Sequence, residues 1–241
     1  YLDPLIKESA KTGAQKAMQD EKNLSASNLD PNVVAVYPFE NKGSSEYDAL
    51  STGLTEMVIT DLSQVKTLKV LERIRIQALL SELKLAQSGI VDQNNAPKTG
   101  KLLGAGKIAS GSFLSKDKEK LGINLSMLKT KEGEILSSKE AEGTLQEFYK
   151  LEKSLVVQVL CGMGRCPESL DEATQAAIGK VHTTNFKAFL QFSKGLVLRD
   201  QGKYREARQA FLKALASDPK FHIAQEKLVE TPLFPITQAV V

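Results

Sequence analysis

The chain has 241 residues, of which 41% are hydrophobic and 25% are charged, and its net charge is +3. These values are typical of a globular protein with a true apolar core, and the length suits one large domain or one medium domain with a small appendix. The weak charge and the even mixture of acidic and basic residues argue against a nucleic-acid-binding face. No apolar run approaches the length of a membrane-spanning helix.

The amino-terminal residues 1–32 are predicted to form a helix followed by a linker. Asp3 before Pro4 is typical of a helix start, because proline suits the first helical position. A narrow stripe of mostly small apolar residues follows, made up of Leu5, Ile6, Ala10, Ala14, Ala17 and Met18. Such a stripe packs weakly alone, so we expect it to lie on another surface or on a neighbouring subunit. Residues 23–32, rich in Ser, Asn and Asp, form the linker.

The short run Val33–Tyr37 is the strand around which the next part of the chain is organised. Four consecutive apolar residues followed by a tyrosine leave no polar face, which is typical of a strand buried on both sides of a sheet. Pro38 cannot donate to a strand ladder and should end the strand or lie at its rim. Residues 40–43 have loop composition, and a helical pattern follows at once. A strand passing to a helix in this way opens an α/β layered domain.

Helical and strand patterns then alternate up to residue 159. Helical spacing is seen at 47–65, 76–83, about 98–103 and 145–159, and β-type runs are seen at 67–72, 107–115, 121–128 and 134–143. The second helical pattern ends before Gly89, and the first two of the last three β-type runs are joined by the charged residues 116–120. This order predicts an α/β (α+β) fold, with a mixed sheet and flanking helices.

Two cysteines close this part of the chain. Cys161 and Cys166 enclose two glycines, which would allow a small disulfide ring and would imply an oxidising compartment. The alternative is that they are plain buried thiols. They cannot build a zinc site without nearby histidines, and His182 and His222 are far along the sequence and have no acidic or cysteine partners at catalytic spacing.

From residue 183 onward the pattern is entirely helical, with predicted helices at 188–202, 204–216 and 221–229. Six residues have the spacing of a tetratricopeptide repeat, namely Gly195, Tyr204, Ala207, Phe211, Ala214 and Pro219. A single repeat is too small to be stable alone, so the segment 183–230 should dock on the sheet domain or on a partner. The apolar tail 231–241 either packs back on the body or inserts in a neighbour.

The first helix of this segment supplies the candidate partner-binding residues. Phe189, Phe192, Leu196, Arg199 and Asp200 share the side that resembles the concave peptide-holding face of tetratricopeptide proteins. The alternative is that the aromatic residues pack against the sheet domain.

Catalytic machinery is not evident. Gly104–Lys107 resembles part of a phosphate loop, but Lys101 and Ile108 stand where such a loop needs glycine and Ser or Thr, so a tight turn into a strand is predicted. Glu72 and Arg73 are interpreted as a structural ion pair or as solvated ends. We therefore predict no catalytic residues, no cofactor and no metal site, and a protein that is not an enzyme.

Several segments, taken in order, resemble the curli-secretion family CsgG and the related amino-terminal domain of TolB-like proteins. They are residues 34–41, 53–57, 70–73 with Leu79 and Leu80, 103–105, 109–113 and 133–136. The resemblance runs from about residue 33 to residue 160, and we define residues 33–166 as the sheet domain.

The resemblance implies a bacterial envelope protein that faces the periplasm and that oligomerises or serves in assembly and export. We expect self-association, with a ring as one form of it, and protein partners of the envelope. Members of the family are often lipoproteins, so tethering to the outer membrane through a lipid-bearing cysteine upstream of Tyr1 is expected.

The alternative function is an outer-membrane secretion channel of the curli type. Channel-forming members insert two long hairpins that this chain lacks, which favours a scaffold or adaptor. A nucleotide enzyme is suggested only by the α/β layering, which is an analogy of fold.

Overall fold

The computed structural model describes residues 3–20, 29–83, 96–115 and 120–233. Over these residues the chain forms a mixed sheet with helices on both faces, followed by a helical carboxy-terminal segment, so the predicted fold class is confirmed. The predicted helix stop at Gly89, most of the charged turn at 116–120 and most of the apolar tail lie outside the described residues.

The strands are β1 (Val33–Val36), β2 (Glu40–Asn41), β3 (Lys69–Val70), β4 (Lys107–Ser115), β5 (Lys120–Lys129) and β6 (Ile135–Thr144). The helices are α1 (Asp3–Gln19), α2 (Asp48–Leu62), α3 (Arg73–Glu82), α4 (Ala96–Leu103), α5 (Phe148–Gly162), α6 (Glu172–Gly179), α7 (Phe186–Asp200), α8 (Tyr204–Ser217) and α9 (His222–Glu230).

The sheet has the strand order β3-β1-β4-β5-β6, and β2 pairs with the far end of β4. Strand β1 runs parallel to both of its neighbours, so that Val34 is paired with Val70 on one side and with Lys107 on the other. Strands β4, β5 and β6 form an antiparallel meander. The parallel part needs helical crossovers and the antiparallel part only turns, which matches the alternation of patterns along the sequence.

Strand β1 divides its side chains between two cores. Val34 and Val36 pack on the face covered by α2, α5 and α7, whereas Val33, Ala35 and Tyr37 pack on the face covered by α1, α3 and α4. All five are buried. The prediction of a strand covered on both sides is therefore confirmed.

The loop predicted at 40–43 is partly wrong, because it contains the short strand β2. Glu40 and Asn41 pair with Ser112 and Phe113 of β4. Phe39, just before them, is almost fully buried. Because the Phe39 ring is buried, the backbone of the residues that follow Pro38 lies alongside β4. The composition of these residues does not indicate that contact.

Helices α7 and α8 form a closely packed antiparallel pair joined at Gly202. Gly202 has φ +76°, a left-handed conformation that suits glycine at a helix end. A Cβ atom at Gly195 would lie 2.5 Å from the ring of Phe211, so a side chain there would prevent the helices from crossing this closely. The geometry agrees with the small-residue spacing in the sequence, and the assignment as a tetratricopeptide repeat stays a prediction.

The helical segment shares one continuous core with the sheet. Gly53 of α2 lets α7 approach, since a Cβ there would lie 1.9 Å from Ser193 Oγ. Helix α6, which the sequence patterns do not predict, lies between the two parts. Asp171 caps its amino-terminal end, where its side chain accepts a hydrogen bond from Thr174 N. The domain boundaries proposed from sequence stay predictions.

Candidate functional site

The predicted partner-binding aromatic residues lie in the core. Phe189, Phe192 and Leu196 have no exposed surface. The ring of Phe189 stacks on Phe148 of α5 at a centroid distance of 4.5 Å. Phe192 contacts Phe211 and Phe221 within the helical segment.

The expectation that these three residues hold a partner is thus corrected, because they are buried. Phe189 packs against the sheet domain, as the alternative had it, whereas the ring contacts of Phe192 lie within the helical segment. All three residues belong to the large core shared by the sheet and the helical segment, and their burial there removes the apolar side chains from water.

The two remaining predicted residues, Arg199 and Asp200, lie at the end of α7 in a cluster of charges. Asp200 accepts hydrogen bonds from both terminal nitrogens of Arg73, one of them at 3.1 Å, and from Gln77 at 3.3 Å. Arg199 pairs with Glu230 of α9 at 3.3 Å. The structure thus brings these two residues together with α3 and α9, away from the buried aromatic residues of the same helix.

Arg73 is the centre of this charged cluster. Its side chain is 5% exposed, and its Nε donates to Glu56 of α2 at 2.8 Å. Lys227 of α9 reaches the other oxygen of Glu56 at 3.0 Å. Burial would raise the pKa of Glu56, but the charges of Arg73 and Lys227 outweigh it and lower that pKa to about 2. The cluster therefore joins α2, α3, α7 and α9 through ion pairs that are largely shielded from water.

From the sequence, Glu72 and Arg73 are expected to form an ion pair or to be solvated ends. In the structure Arg73 pairs with Glu56 and Asp200, and Glu72 is exposed. The sequence patterns do not indicate Glu56 or Lys227 as members of this cluster. One signal was present for Glu56: it is an acidic residue beside Met57 and Val58, inside a strongly apolar helix. A carboxylate at such a position is buried and needs a cationic partner.

A groove runs along α1 beside this cluster. The groove between α1 and α3, which we call the α1–α3 groove, has a volume of about 520 Å³ and is lined by Leu5, Ile6, Leu79 and Leu102 among others. It continues through Ile6 into a second cavity of about 440 Å³ that contains the charged cluster.

Two apolar side chains in the lining of this groove are exposed to solvent, Leu5 by 68% and Ile6 by 41%. Further along α1, Ala14 is buried against α3 of the same chain. Of the two placements predicted for this helix, on another surface or on a neighbouring subunit, the structure shows the first.

A second charged cluster lies buried between α2, α5 and the segment before α7. Asp61 pairs with Lys153 and, at 2.6 Å, with His182. Glu152 is fully buried beside them, and both its burial and the charge of Asp61 raise its pKa well above the usual value. His182 thus has an acidic partner that comes from 121 residues away in the sequence. Asp61 is only 1% exposed, so its carboxylate is closed to solvent.

The remaining sequence candidates have structural positions. Gly104 has φ +69° and forms the turn from α4 into β4, as expected for a tight turn before a strand. Cys161 and Cys166 are joined by a disulfide. Within residues 3–20, 29–83, 96–115 and 120–233, no three His, Cys, Asp or Glu side chains are grouped so as to hold a metal ion. None of the helices in these same ranges combines the length and the apolar character needed to cross a membrane.

Comparison with protein families gives a match at residues 14–115, from the end of α1 to the end of β4. The matching family is described as "Curli production assembly/transport component CsgG". Over this part, the chain is similar to the CsgG family.

The match confirms the resemblance read from the sequence, although it covers less than half of the chain and stops before β5. The helical segment lies outside the CsgG match. A comparison with curated protein sequences found no match.

Solved structures that are similar to this chain include three bacterial proteins. The LpoB C-terminal domain from Salmonella enterica is 15% identical with a TM-score of 0.39, and the alignment covers 55% of this chain and 93% of that one. Lipoprotein GNA1162 from Neisseria meningitidis is 16% identical with a TM-score of 0.35, over 47% and 81% of the two chains. The PelC dodecamer from Paraburkholderia phytofirmans is 15% identical with a TM-score of 0.35, over 56% and 88%.

Proposed function

We propose that this chain is a non-enzymatic assembly or scaffold protein of the bacterial cell envelope. The observation that carries the proposal is the match of residues 14–115 to a family described as an assembly and transport component of curli production. Within that role the protein associates with copies of itself and binds a protein partner of the envelope.

The proposed location is the periplasm, with tethering to the outer membrane through a lipid-bearing cysteine upstream of Tyr1. The disulfide between Cys161 and Cys166 supports an oxidising compartment, because such bonds persist outside the cytoplasm and are rare within it.

A scaffold role is also consistent with the ion pairing of the buried acidic and basic side chains. The two groups of acidic and basic side chains that resemble catalytic constellations are Arg73 with its partners and Asp61 with its partners. In both, the charges are neutralised by ion pairs within the chain, and Asp61 and Glu152 are closed to solvent. Buried, mutually paired charges of this kind hold helices in register more readily than they activate a substrate.

The partner site that we propose is the α1–α3 groove, in place of the buried aromatic face of α7. Leu5 and Ile6 are exposed apolar side chains at its opening, and the charged cluster with Arg199 and Asp200 lies at one end. An exposed apolar groove with a polar end suits an apolar peptide segment of a partner protein, which would cover Leu5 and Ile6 and direct a polar group to the charged end.

Self-association is tested by mass photometry of the purified chain over a range of concentrations. We expect a discrete oligomer that persists on dilution. A strict monomer at every concentration, together with no partner recovered by cross-linking in cells, would overturn the proposed assembly role.

The groove is tested by the variant Leu5→Glu, which introduces a charge at the apolar opening. We expect it to abolish cross-linking to the partner that the unmodified chain captures, with little change in melting temperature, since Leu5 is mostly exposed. The matched control is Leu212→Glu on α8, where the leucine is 53% exposed and distant in sequence from the groove. Equal loss in both variants would show that the groove is not the partner site.

A further inference from the structure

A third cavity is unusual for a protein of small net charge, because all the charged side chains that line it are positive. It has a volume of about 470 Å³ and lies between the carboxyl end of α5, the start of β4, the end of β5 and the start of β6. Lys107, Lys129 and Lys139 line it, and its lining contains no carboxylate. We call it the basic pocket.

Two of these lysines face each other across the sheet. Lys107 of β4 and Lys129 of β5 are partners in the antiparallel register. Like charges at directly opposed positions destabilise a sheet. Burial lowers the pKa of Lys107, and the neighbouring charges of Arg165 and Lys129 lower it further. The chain therefore concentrates positive charge here at a cost to its own stability.

Structural roles explain only part of this arrangement. Lys107 donates to the carbonyl of Gly162 at 3.1 Å and so satisfies the carboxyl end of α5. Lys129 pairs with Glu132 at 3.3 Å, but both side chains are more than 40% exposed, so that pair is weak. Lys139 forms no ion pair with any residue that the structure describes.

Neutral polar groups complete the pocket. Ser137 lies on β6, two residues before Lys139, and offers a hydroxyl. The side-chain oxygen of Gln158 on α5 is buried and has no hydrogen-bond partner among the described residues. Lysines as point charges, together with a hydroxyl donor, suit a phosphate group. The free oxygen of Gln158 accepts, so it suits a hydroxyl group of the ligand rather than its phosphate.

We propose that the basic pocket binds a small phosphate-bearing ligand. Its volume falls within the range of small-molecule sites and matches a sugar phosphate or a phospholipid headgroup. Both ligands carry a phosphate group. Leu136 lies in the lining of the pocket and is 38% exposed, so it would contact the less polar part of either ligand. Lys129 and Lys139 provide the charge, Ser137 donates a hydrogen bond to the phosphate, and the Gln158 oxygen accepts one from a hydroxyl group of the ligand.

The test uses the full chain at low salt with two probes. Isothermal titration calorimetry measures glucose 6-phosphate against glucose, and co-sedimentation measures vesicles of phosphatidylglycerol against vesicles of phosphatidylcholine. We expect the phosphorylated or anionic probe to bind with a Kd of about 1 mM or below, and the neutral probe of the same pair not to bind. Binding of the sugar phosphate identifies a soluble ligand, and binding to anionic vesicles alone identifies a lipid headgroup.

The decisive variant is Lys129→Gln combined with Lys139→Gln, compared with Lys66→Gln combined with Lys213→Gln. Both pairs remove the same charge, and Lys66 and Lys213 are exposed residues outside the pocket. We expect the pocket variant to weaken binding about tenfold or more and the control to leave it nearly unchanged. We also expect the pocket variant to melt no lower than the unmodified chain, because it removes the repulsion with Lys107.

No binding of either probe, or equal weakening in the pocket variant and the control, would overturn the site. A loss of binding accompanied by a lower melting temperature would assign the lysines a structural role instead. If the double variant does not fold, Lys139→Gln alone gives the same comparison, because it removes no ion pair with a described residue.

Discussion

Arg73 of α3 and Asp200 of α7 form a two-pronged ion pair that joins the sheet part of the chain to its helical segment. The guanidinium presents two nitrogens to the two oxygens of Asp200 and its third nitrogen to Glu56. This geometry uses the planar fork of arginine, which lysine does not have. The interface between the two parts is thus polar at one end and aromatic at the other, where Phe148 meets Phe189.

Removing Arg73 should strongly destabilise the protein. Arg73→Ala leaves Glu56 and Asp200 without their main cation in a buried setting, and breaking a buried ion pair from one side costs about 3–5 kcal/mol. Urea unfolding at neutral pH measures the loss. The control is Arg75→Ala on the same helix, where the side chain is exposed and a change of less than about 0.5 kcal/mol is expected. Similar losses in the two variants would contradict a special role for Arg73.

The charged cluster should also make stability depend on acid. The pKa of Glu56 is lowered in the folded chain from 4.5 to about 2, so its ion pairs stabilise the fold above the higher value. As the pH falls from 4.5 towards 2, the unfolded state takes up a proton first and the stabilisation is lost. We expect the difference in unfolding free energy between the unmodified chain and Glu56→Gln to shrink across this window. A difference that does not change between pH 4.5 and 2 would show that folding does not lower the pKa of Glu56.

The effect of pH on stability through Glu152 has the opposite sign to that of Glu56. Its pKa is raised by burial and by Asp61, so the folded state keeps a proton that the unfolded state releases at lower pH. Stability from this group is therefore present in acid and is lost as the pH rises from 4.5 through the raised value.

Glu152→Gln mimics the protonated carboxyl without titrating. It should raise the melting temperature near neutral pH by about 2–4 °C, the shift that about 1 kcal/mol produces in a chain of this size. At pH 4 or below the two proteins should melt alike. Differential scanning calorimetry at the two pH values checks this, and destabilisation near neutral pH would contradict it.

The close crossing of α7 and α8 should not tolerate a side chain at Gly195. Gly195→Ala would bring a Cβ to 2.5 Å from the Phe211 ring, and overpacking of this kind costs about 1–3 kcal/mol. Gly179→Ala in α6 is the matched control, because no atom lies within 4 Å of the added Cβ. Thermal unfolding should show a lower melting temperature for Gly195→Ala and an unchanged or higher one for Gly179→Ala. Equal melting temperatures would mean that the helices can move apart freely.

The sequence predicted the sheet and most of its helices because periodicity reports which side of an element faces a core. Val33–Tyr37 and the alternating residues of β5 are examples, since their burial follows directly from the spacing of apolar side chains. It missed β2, whose two residues pair with β4 only because Phe39 is buried beside them. A strand this short has no period to detect.

The helical spacing of Phe189, Phe192 and Leu196 was also visible in the sequence, but the surface that packs against them was not. Periodicity predicts that a helix has an apolar face, and it does not predict whether that face packs in the core or binds a partner. The structure assigns this face to α2, α5 and α8, and leaves exposed apolar side chains on α1 instead.

The sequence by itself determined the layered fold, the turn glycines and the resemblance to the CsgG family, because these depend on local patterns and on short motifs in order. Only the tertiary structure decided which charges meet. Arg73 and Asp200 lie 127 residues apart, and Asp61 and His182 lie 121 apart. No local pattern relates such residues, since their proximity is set by how whole helices pack on the sheet. The ion pairs between α2, α3, α5, α7 and α9 therefore became apparent only with the packing.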